Sequence, residues 1–418
     1  MERGQLGPRP SDLDRELPAA RAACLRRNVR TLDDGDRIVR AAGTVRASLR
    51  LVGRAGRRTV AIFDLTTQQT PGGHVRNRKR PGSASRLVLI AAVIAAAVTA
   101  IGCGEKSEDT TGNATEEFDL ALDFFVNADH AGIFTALERG YFADAGLEVR
   151  PRVPADPSAP IKQVATGRVD LAISYEPEVM LARDQGLDVV AVAALIQEPL
   201  TSLISLPAAK VKEPADLKGK TVVTAGIPYQ TAYLDTILRS NGVDPKDVEQ
   251  VDVGLNLLQP VLSGRADAMF GGFRNVEGVQ LQRAGKNPSV VPVNELGIPT
   301  YNELVLVARG DQVAEDPEPL RLFIAALQRG AVDARDDPQL ATDALLKASP
   351  ELEPKLTLAE VRETLPLFFP RAERPFGWMD PSEWTGFVGY MADQGQIQQR
   401  LGTEELLTND LLPGEIPE

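Results

Sequence analysis

The side chains able to do covalent or metal chemistry are few and scattered. The 418 residues include two histidines, His74 and His130, and two cysteines, Cys24 and Cys103. A four-ligand zinc site or a disulfide framework needs more than this. No Gly-rich phosphate loop and no metal-spaced cluster accompanies them. No catalytic residue, metal or cofactor is therefore expected. What remains is binding chemistry, in which aromatic rings, amides and carboxylates follow directly on apolar runs. Three stretches have this pattern: FDLALDFFVNADH (118–130), VDLAISYEPE (169–178) and AMFGGFRNVEG (268–278). Convergent rings with a few polar groups are the usual make-up of a small-molecule site.

The elements that must position these stretches alternate between strand and helix. The run 118–126 reads as a buried strand and 130–146 as a helix closed by Gly146. The alternation continues through strands at 169–175, 187–196 and 200–206, and resumes at 216–226 for a second unit. A strand at 301–310 follows, and from Asp316 onward the pattern is nearly all helical. Such βα alternation predicts mainly parallel sheets covered on both faces. "GRVDLAISY" and "GRADAMFGGF" are the same phrase, one in each half: a helix end, Gly-Arg, then a buried strand with an aromatic at its mouth. Ligands on such sheets bind at the carboxyl ends of strands. Two facing strand ends predict a cleft between two lobes, with the strands near 200–206 and 302–308 as crossings. Lobe 1 is then 118–204 plus 305–418, and lobe 2 is 205–304.

The chain preceding these lobes has a different character. The net charge is −12, but residues 1–102 carry 19 Lys+Arg against 8 Asp+Glu, and the remainder carries 27 against 50. A body near −23 is a poor nucleic-acid binder. Arg76 to Arg86 is basic, Leu87 to Ile101 is apolar without a charge, and Ala100-Ile101-Gly102-Cys103 follows the pattern of a lipoprotein signal over 75–102. That predicts cleavage before Cys103, diacylglycerol on its sulfur, and a lipid-anchored, extracytoplasmic body on a polar tether, 103–117. Residues 1–74, Arg-rich and without a core pattern, read as a misannotated or disordered extension.

The stretches DFFVNADHAGIFTALERGYFADAGLEV, QVATGRVDLAISYEPEV and GGFRNVEGVQL resemble the substrate-binding proteins of ABC importers. The resemblance is to the THI5-like (NMT1/SsuA-type) family, and within it to the branch that captures aminopyrimidine precursors of thiamine. It spans about 118–400. It implies a type II periplasmic-binding-protein fold: two βα lobes, two hinge crossings and C-terminal helices. It also implies hinge closure on a small aromatic heterocycle and delivery to a membrane permease with its ATPase.

The same resemblance places Asn127 and His130 as ligand contacts, and Glu277 of "N.EG" against the ring nitrogens and exocyclic amine of the ligand. A carboxylate suits that role because it accepts strongly from an amine N–H. One of the adjacent Phe124 and Phe125 is expected to face the ligand ring, with Phe124 taken as the contact. Strand-end placement adds Tyr175 and Glu176 in lobe 1, and Phe273 and Asn275 in lobe 2. Tyr229 starts the first helix of lobe 2 and is a stacking candidate. Ser158, in the loop before another helix, completes the set. Asp129 is expected as a helix N-cap, Thr231 as another, and Glu178 as a helix-N-terminal carboxylate. Arg274 is expected either to pair with Glu277 or to favour an anion. That leaves an alkanesulfonate or nitrate-type ligand as the alternative. A THI5-like pyrimidine synthase is a further alternative, opposed by the absence of that enzyme's cysteine cluster.

Overall fold

A computed structural model describes residues 115–370 and 374–414. The expected extension, signal segment and lipidated Cys103 lie outside those residues, as does most of the tether.

The first sheet is built from β1 (Glu116–Ala121), β2 (Leu147–Arg152), β3 (Leu171–Ser174) and β4 (Val189–Ile196). Helices α1 (Ala131–Glu138), α2 (Pro160–Ala165) and α3 (Glu176–Asp184) connect them. The chain then passes into β5 (Thr201–Ser205) and a second sheet. That sheet takes in β6 (Thr221–Thr224), α4 (Pro228–Ser240), β7 (Glu249–Asp252), α5 (Leu258–Leu262), β8 (Ala268–Phe273), α6 (Glu277–Arg283) and β9 (Ser289–Pro292). It returns through β10 (Leu304–Arg309) to the first sheet. The C-terminal helices α7 (Glu318–Asp336), α8 (Pro338–Ala348), α9 (Pro354–Phe368) and α10 (Pro381–Asp393) follow.

Each sheet has five strands, in the orders β2-β1-β3-β10-β4 and β7-β6-β8-β5-β9. In both, the fourth strand is the crossing strand and runs antiparallel to its neighbours. The other pairs, β1 with β2 and β3, and β6 with β7 and β8, are parallel. The central strands LAIS (β3) and AMFGGF (β8) are buried along their whole length. This is why they read as continuous apolar runs rather than alternating ones. The Gly-Arg that precedes each has one cause. Gly167 and Gly264 take φ of +66° and +70° just past α2 and α5, the left-handed position that ends a helix cheaply only with glycine.

Two expected elements differ. The helix expected over 130–146 is broken: Gly140, at φ +75°, ends α1, and a separate short turn Tyr141–Asp144 follows. The strand expected over 118–126 stops at Ala121. Beyond it the chain bends and draws Asp123 inward to His130 and Tyr175, while Phe125 is left 51% exposed. A lone carboxylate inside an apolar run thus ends the strand.

The lobes meet over a buried aromatic chain. Tyr175, Tyr229, Tyr233, Tyr301 and Phe387 lie in successive ring contacts of 5.1–5.8 Å between centroids. At its heart is Glu303, on the returning crossing. Its carboxylate accepts from the backbone N–H groups of Leu200 and Thr201 (2.6 and 2.7 Å) and from the hydroxyls of Thr201 and Tyr301 (2.8 and 3.0 Å). The outgoing and returning crossings are therefore bound to each other through one buried group. Its satisfied lone pairs offset much of the cost of burying a carboxylate.

Candidate functional site

The strand ends face each other across a cavity with about 330 Å³ of empty space, part of it open to solvent. Lobe 1 contributes Asp123, Phe124 and Asn127 from the bend after β1, and Tyr175 from the end of β3. Lobe 2 contributes Ala225, Ile227 and Gln230 around the start of α4. It also contributes Leu257, Gly271, Phe273, Val276 and Glu277. The lining holds two carboxylates, two amides, one phenol and two phenyl rings, and it includes no Lys, Arg or His.

The lobe 1 wall is a closed hydrogen-bond network. His130 Nδ1 accepts from the Asn127 backbone N–H (3.2 Å), so Nε2 carries the hydrogen and donates to Asp123 Oδ1 (2.9 Å). Asp123 Oδ2 accepts from the Tyr175 hydroxyl (3.1 Å). Asn127 caps the 3-10 turn Ala128–His130: its Oδ1 accepts from Asp129 N–H (2.8 Å) and its Nδ2 donates to Phe125 O (3.0 Å). The residues expected here thus separate. Phe124, Asn127 and Tyr175 line the cavity, whereas His130, fully buried, stands behind Asp123 and holds it. The cap is Asn127, not Asp129, whose Oδ1 instead accepts from Asn275 Nδ2 (2.7 Å).

The lobe 2 wall is held mainly by backbone. Glu277 is the first residue of α6, and its Oε2 accepts from Phe273 N–H (2.8 Å). Burial pushes its carboxyl above the ordinary range, and the charge of Asp123 across the cavity adds to this. The backbone N–H groups of Phe273 and Glu277 oppose it. Gln230 Oε1 accepts from Ala225 N–H (3.0 Å), and the side-chain amide lies directly over Gly271. A Cβ at position 271 would collide with that amide, and the residue's φ of +101° also calls for glycine.

Six further expectations are corrected. Tyr229 is fully buried outside the cavity lining; its ring lies 5.3 Å from that of Tyr175, and its hydroxyl pairs with Thr201 and Glu303 (both 3.3 Å). Glu176 turns from the cleft to accept from Asn302 N–H (2.7 Å), tying α3 to the returning crossing. Asn275 spends both amide hydrogens on Asp129 Oδ1 and Thr364 Oγ1 (2.7 and 2.8 Å). Ser158 lies half-buried in its own loop, bonded to Asp156 and Lys162. Arg274 pairs with Glu198 (3.2 Å) and Pro199 O rather than Glu277, and points away from the cavity. Thr231 is inside α4, whose cap is Ile227. Glu178 is in the first turn of α3 as expected. It accepts from Ser174, and its carboxyl is pushed up to about 7 by burial.

Sequence reasoning missed Asp123 and Gln230. The signal for Asp123 was present: a single acid inside LALDFFV. Gln230 was hidden because Tyr229, one residue earlier on the same turn, is the larger ring. Among the described residues, no group of three or more His, Cys, Asp or Glu is placed to hold a metal, and no helix is long and apolar enough to cross a membrane.

Two lobes of this strand order, joined by two crossings over an aromatic-lined cleft, define a type II periplasmic-binding-protein fold. The alkanesulfonate-binding protein SsuA from Xanthomonas axonopodis pv. citri, solved with MOPS, has the same fold. The TM-score is 0.55 at 14% identity, over 70% of this chain and 98% of that one. The nitrate-binding protein NrtA from Synechocystis PCC 6803 matches with a TM-score of 0.53 at 14% identity, over 71% and 87%. The family model NMT1/THI5 like matches residues 127–341, and this chain belongs to that family. It is 33% identical to the formylaminopyrimidine-binding protein of Halalkalibacterium halodurans over 71% of this chain and 91% of that protein. It is 35% identical to a putative thiamine biosynthesis protein of Haemophilus influenzae over 70% and 91%. A 4-amino-5-hydroxymethyl-2-methylpyrimidine phosphate synthase of Legionella pneumophila is 26% identical over 70% and 92%.

Proposed function

We propose that this chain is the extracytoplasmic solute-binding component of an ABC importer, and that it captures a small amine-bearing aromatic heterocycle of the aminopyrimidine class. One observation carries the reading: carboxylates from both lobes, Asp123 and Glu277, bound a ring-lined cavity whose lining includes no cationic side chain. A sulfonate or nitrate placed there would meet like charge from both sides, whereas amine and protonated-ring N–H groups would meet acceptors. The formylaminopyrimidine-binding relative supports the same class. The ligand touches both lobes only when the cleft is shut, so binding favours the closed form. We assign no catalytic step: both ring nitrogens of His130 are occupied by Asn127 and Asp123.

Calorimetry and thermal-shift measurements with 4-amino-5-hydroxymethyl-2-methylpyrimidine, its formylamino analogue, thiamine, taurine and nitrate test the assignment. A ligand that binds the native but not the unfolded chain raises the melting temperature, by an amount that grows with the logarithm of its concentration over Kd. Pyrimidines should stabilise and the anions should not; stabilisation by taurine or nitrate alone would reverse the assignment.

Lipid anchoring at Cys103 and delivery to a permease with its ATPase belong to the same proposal. The basic, apolar and Gly-Cys segments in the sequence support the anchor. Labelling of the wild-type chain, but not of Cys103→Ser, with an alkyne fatty acid checks it.

A further inference from the structure

Asn275 sits in the turn between two cavity residues, Phe273 and Glu277, yet its amide faces away from the cavity. Both of its N–H groups cross the lobe boundary. One goes to Asp129 Oδ1 at 2.7 Å, on the 3-10 turn capped by Asn127. The other goes to Thr364 Oγ1 at 2.8 Å, on α9. The Thr364 hydroxyl hydrogen is already committed to Glu360 O (2.9 Å), so its oxygen is left to accept. One turn away, Gln280 on α6 donates across the same boundary to Glu360 Oε1 at 2.9 Å. Asn275, Asp129, Thr364 and Glu360 are all buried. None of them lines the cavity.

We propose that Asn275, through Asp129 and Thr364, is a clasp that keeps the loaded cleft shut: a positioning residue that sets how fast ligand leaves without touching it. The inference rests on the cleft being the ligand site. The physical reason is conditional burial. If the lobes part, these amides and carboxylates meet water and lose little, because they exchange protein partners for solvent. When the lobes close, the same groups are dry, and each must find its partner or stand unpaired. The clasp therefore acts on the closed state alone. Release of a trapped ligand requires breaking it, so its removal should appear in dissociation rather than association.

The experiment is stopped-flow binding of 4-amino-5-hydroxymethyl-2-methylpyrimidine to the full chain, with Asn275→Ala, Thr364→Val and Thr364→Ser. Asn275→Ala and Thr364→Val should each raise koff about tenfold with kon nearly unchanged, the scale of one lost bond to a charged or buried partner. Thr364→Ser keeps the acceptor and should restore slow release. Wild-type koff in a folded Asn275→Ala and Thr364→Val overturns the clasp. So does a loss confined to kon, which would place Asn275 in ligand entry rather than in retention. If the wild type binds no pyrimidine, the ligand reading itself falls. Amide hydrogen exchange then tests the clasp alone: Asn275→Ala should speed exchange at 128–130 and 360–364 while β3 and β8 stay protected, and unchanged exchange there overturns it.

Discussion

The two lobes share one plan and differ in what they place at the end of it. β3 and β8 each occupy the third place of a five-stranded sheet, beside an antiparallel crossing strand. Each follows a helix ended by a left-handed glycine. At the mouth of β3, Tyr175 is fastened to Asp123, and Asp123 to His130, so the lobe 1 wall is rigid before any ligand arrives. At the mouth of β8, Phe273 has no polar atom in its side chain, and the Glu277 carboxylate is held by backbone N–H groups. Lobe 1 thus supplies a preorganised wall and lobe 2 a carboxylate with acceptor capacity to spare. The duplicated scaffold fixes where chemistry occurs; a few residues past each strand end fix what it is.

The contrast breaks first at Glu277. Glu277→Gln should weaken pyrimidine binding about a hundredfold by calorimetry, the scale of about 3 kcal/mol for a desolvated charged contact. The melting temperature of the ligand-free chain should change little. Unchanged affinity would remove the carboxylate from recognition. On the lobe 1 side, Tyr175→Phe deletes the bond to Asp123 and leaves the ring. It should cost about tenfold in affinity, or ~1.4 kcal/mol. A larger loss than that of Glu277→Gln would invert the comparison.

Lobe 1 also contributes to the pH dependence of stability. Burial raises the Glu178 carboxyl from 4.5 to about 7. The folded chain therefore holds a proton that the unfolded chain has released, and stability falls as pH rises from about 4.5 to about 7. Urea denaturation at pH 5 and 7.5 should show the decline. Glu178→Gln should flatten it by on the order of 2 kcal/mol; an unaltered slope would place the effect on other groups. Glu360, raised to about 7 by burial, adds a slope of the same sign at the lobe boundary.

The smallest expected effect is at Arg274. Arg274→Ala should alter ligand affinity less than about twofold, because its guanidinium is committed to a half-exposed pair with Glu198. A sharp loss of affinity would mean that the cavity reaches Arg274 after all.

Much of the architecture could be read from pattern. The apolar runs of β3 and β8 and the glycines that precede them carry the two-lobe arrangement, because buried strands and left-handed helix ends admit few residue types. Strand-end placement pointed to Tyr175 and Phe273, the phenylalanine pair to Phe124, and the family resemblance to Asn127 and Glu277; these five line the cavity. Direction was harder. Tyr229 and Gln230 are adjacent, and only the tilt of α4 turns the amide to the cavity and the phenol to the hinge. Asn275 and Glu277 are two apart, and only the turn between β8 and α6 sends one to the other lobe and one to the cavity.

The order of the elements and part of the site, the rings at the strand ends and one carboxylate, were legible in the sequence, whereas the charge of the site was left open between amine and anion. The legible features are local properties, fixed by which side chains can occupy a buried strand, a turn or a helix end. The tertiary structure alone decided that Asp123 faces Glu277, that His130 stands behind rather than in the cavity, and that Glu303 ties the crossings together. Leu200 and Glu303 are 103 residues apart, and Asn275 and Asp129 are 146 apart. Pairings over such separations depend on how whole lobes pack, and no local periodicity records them.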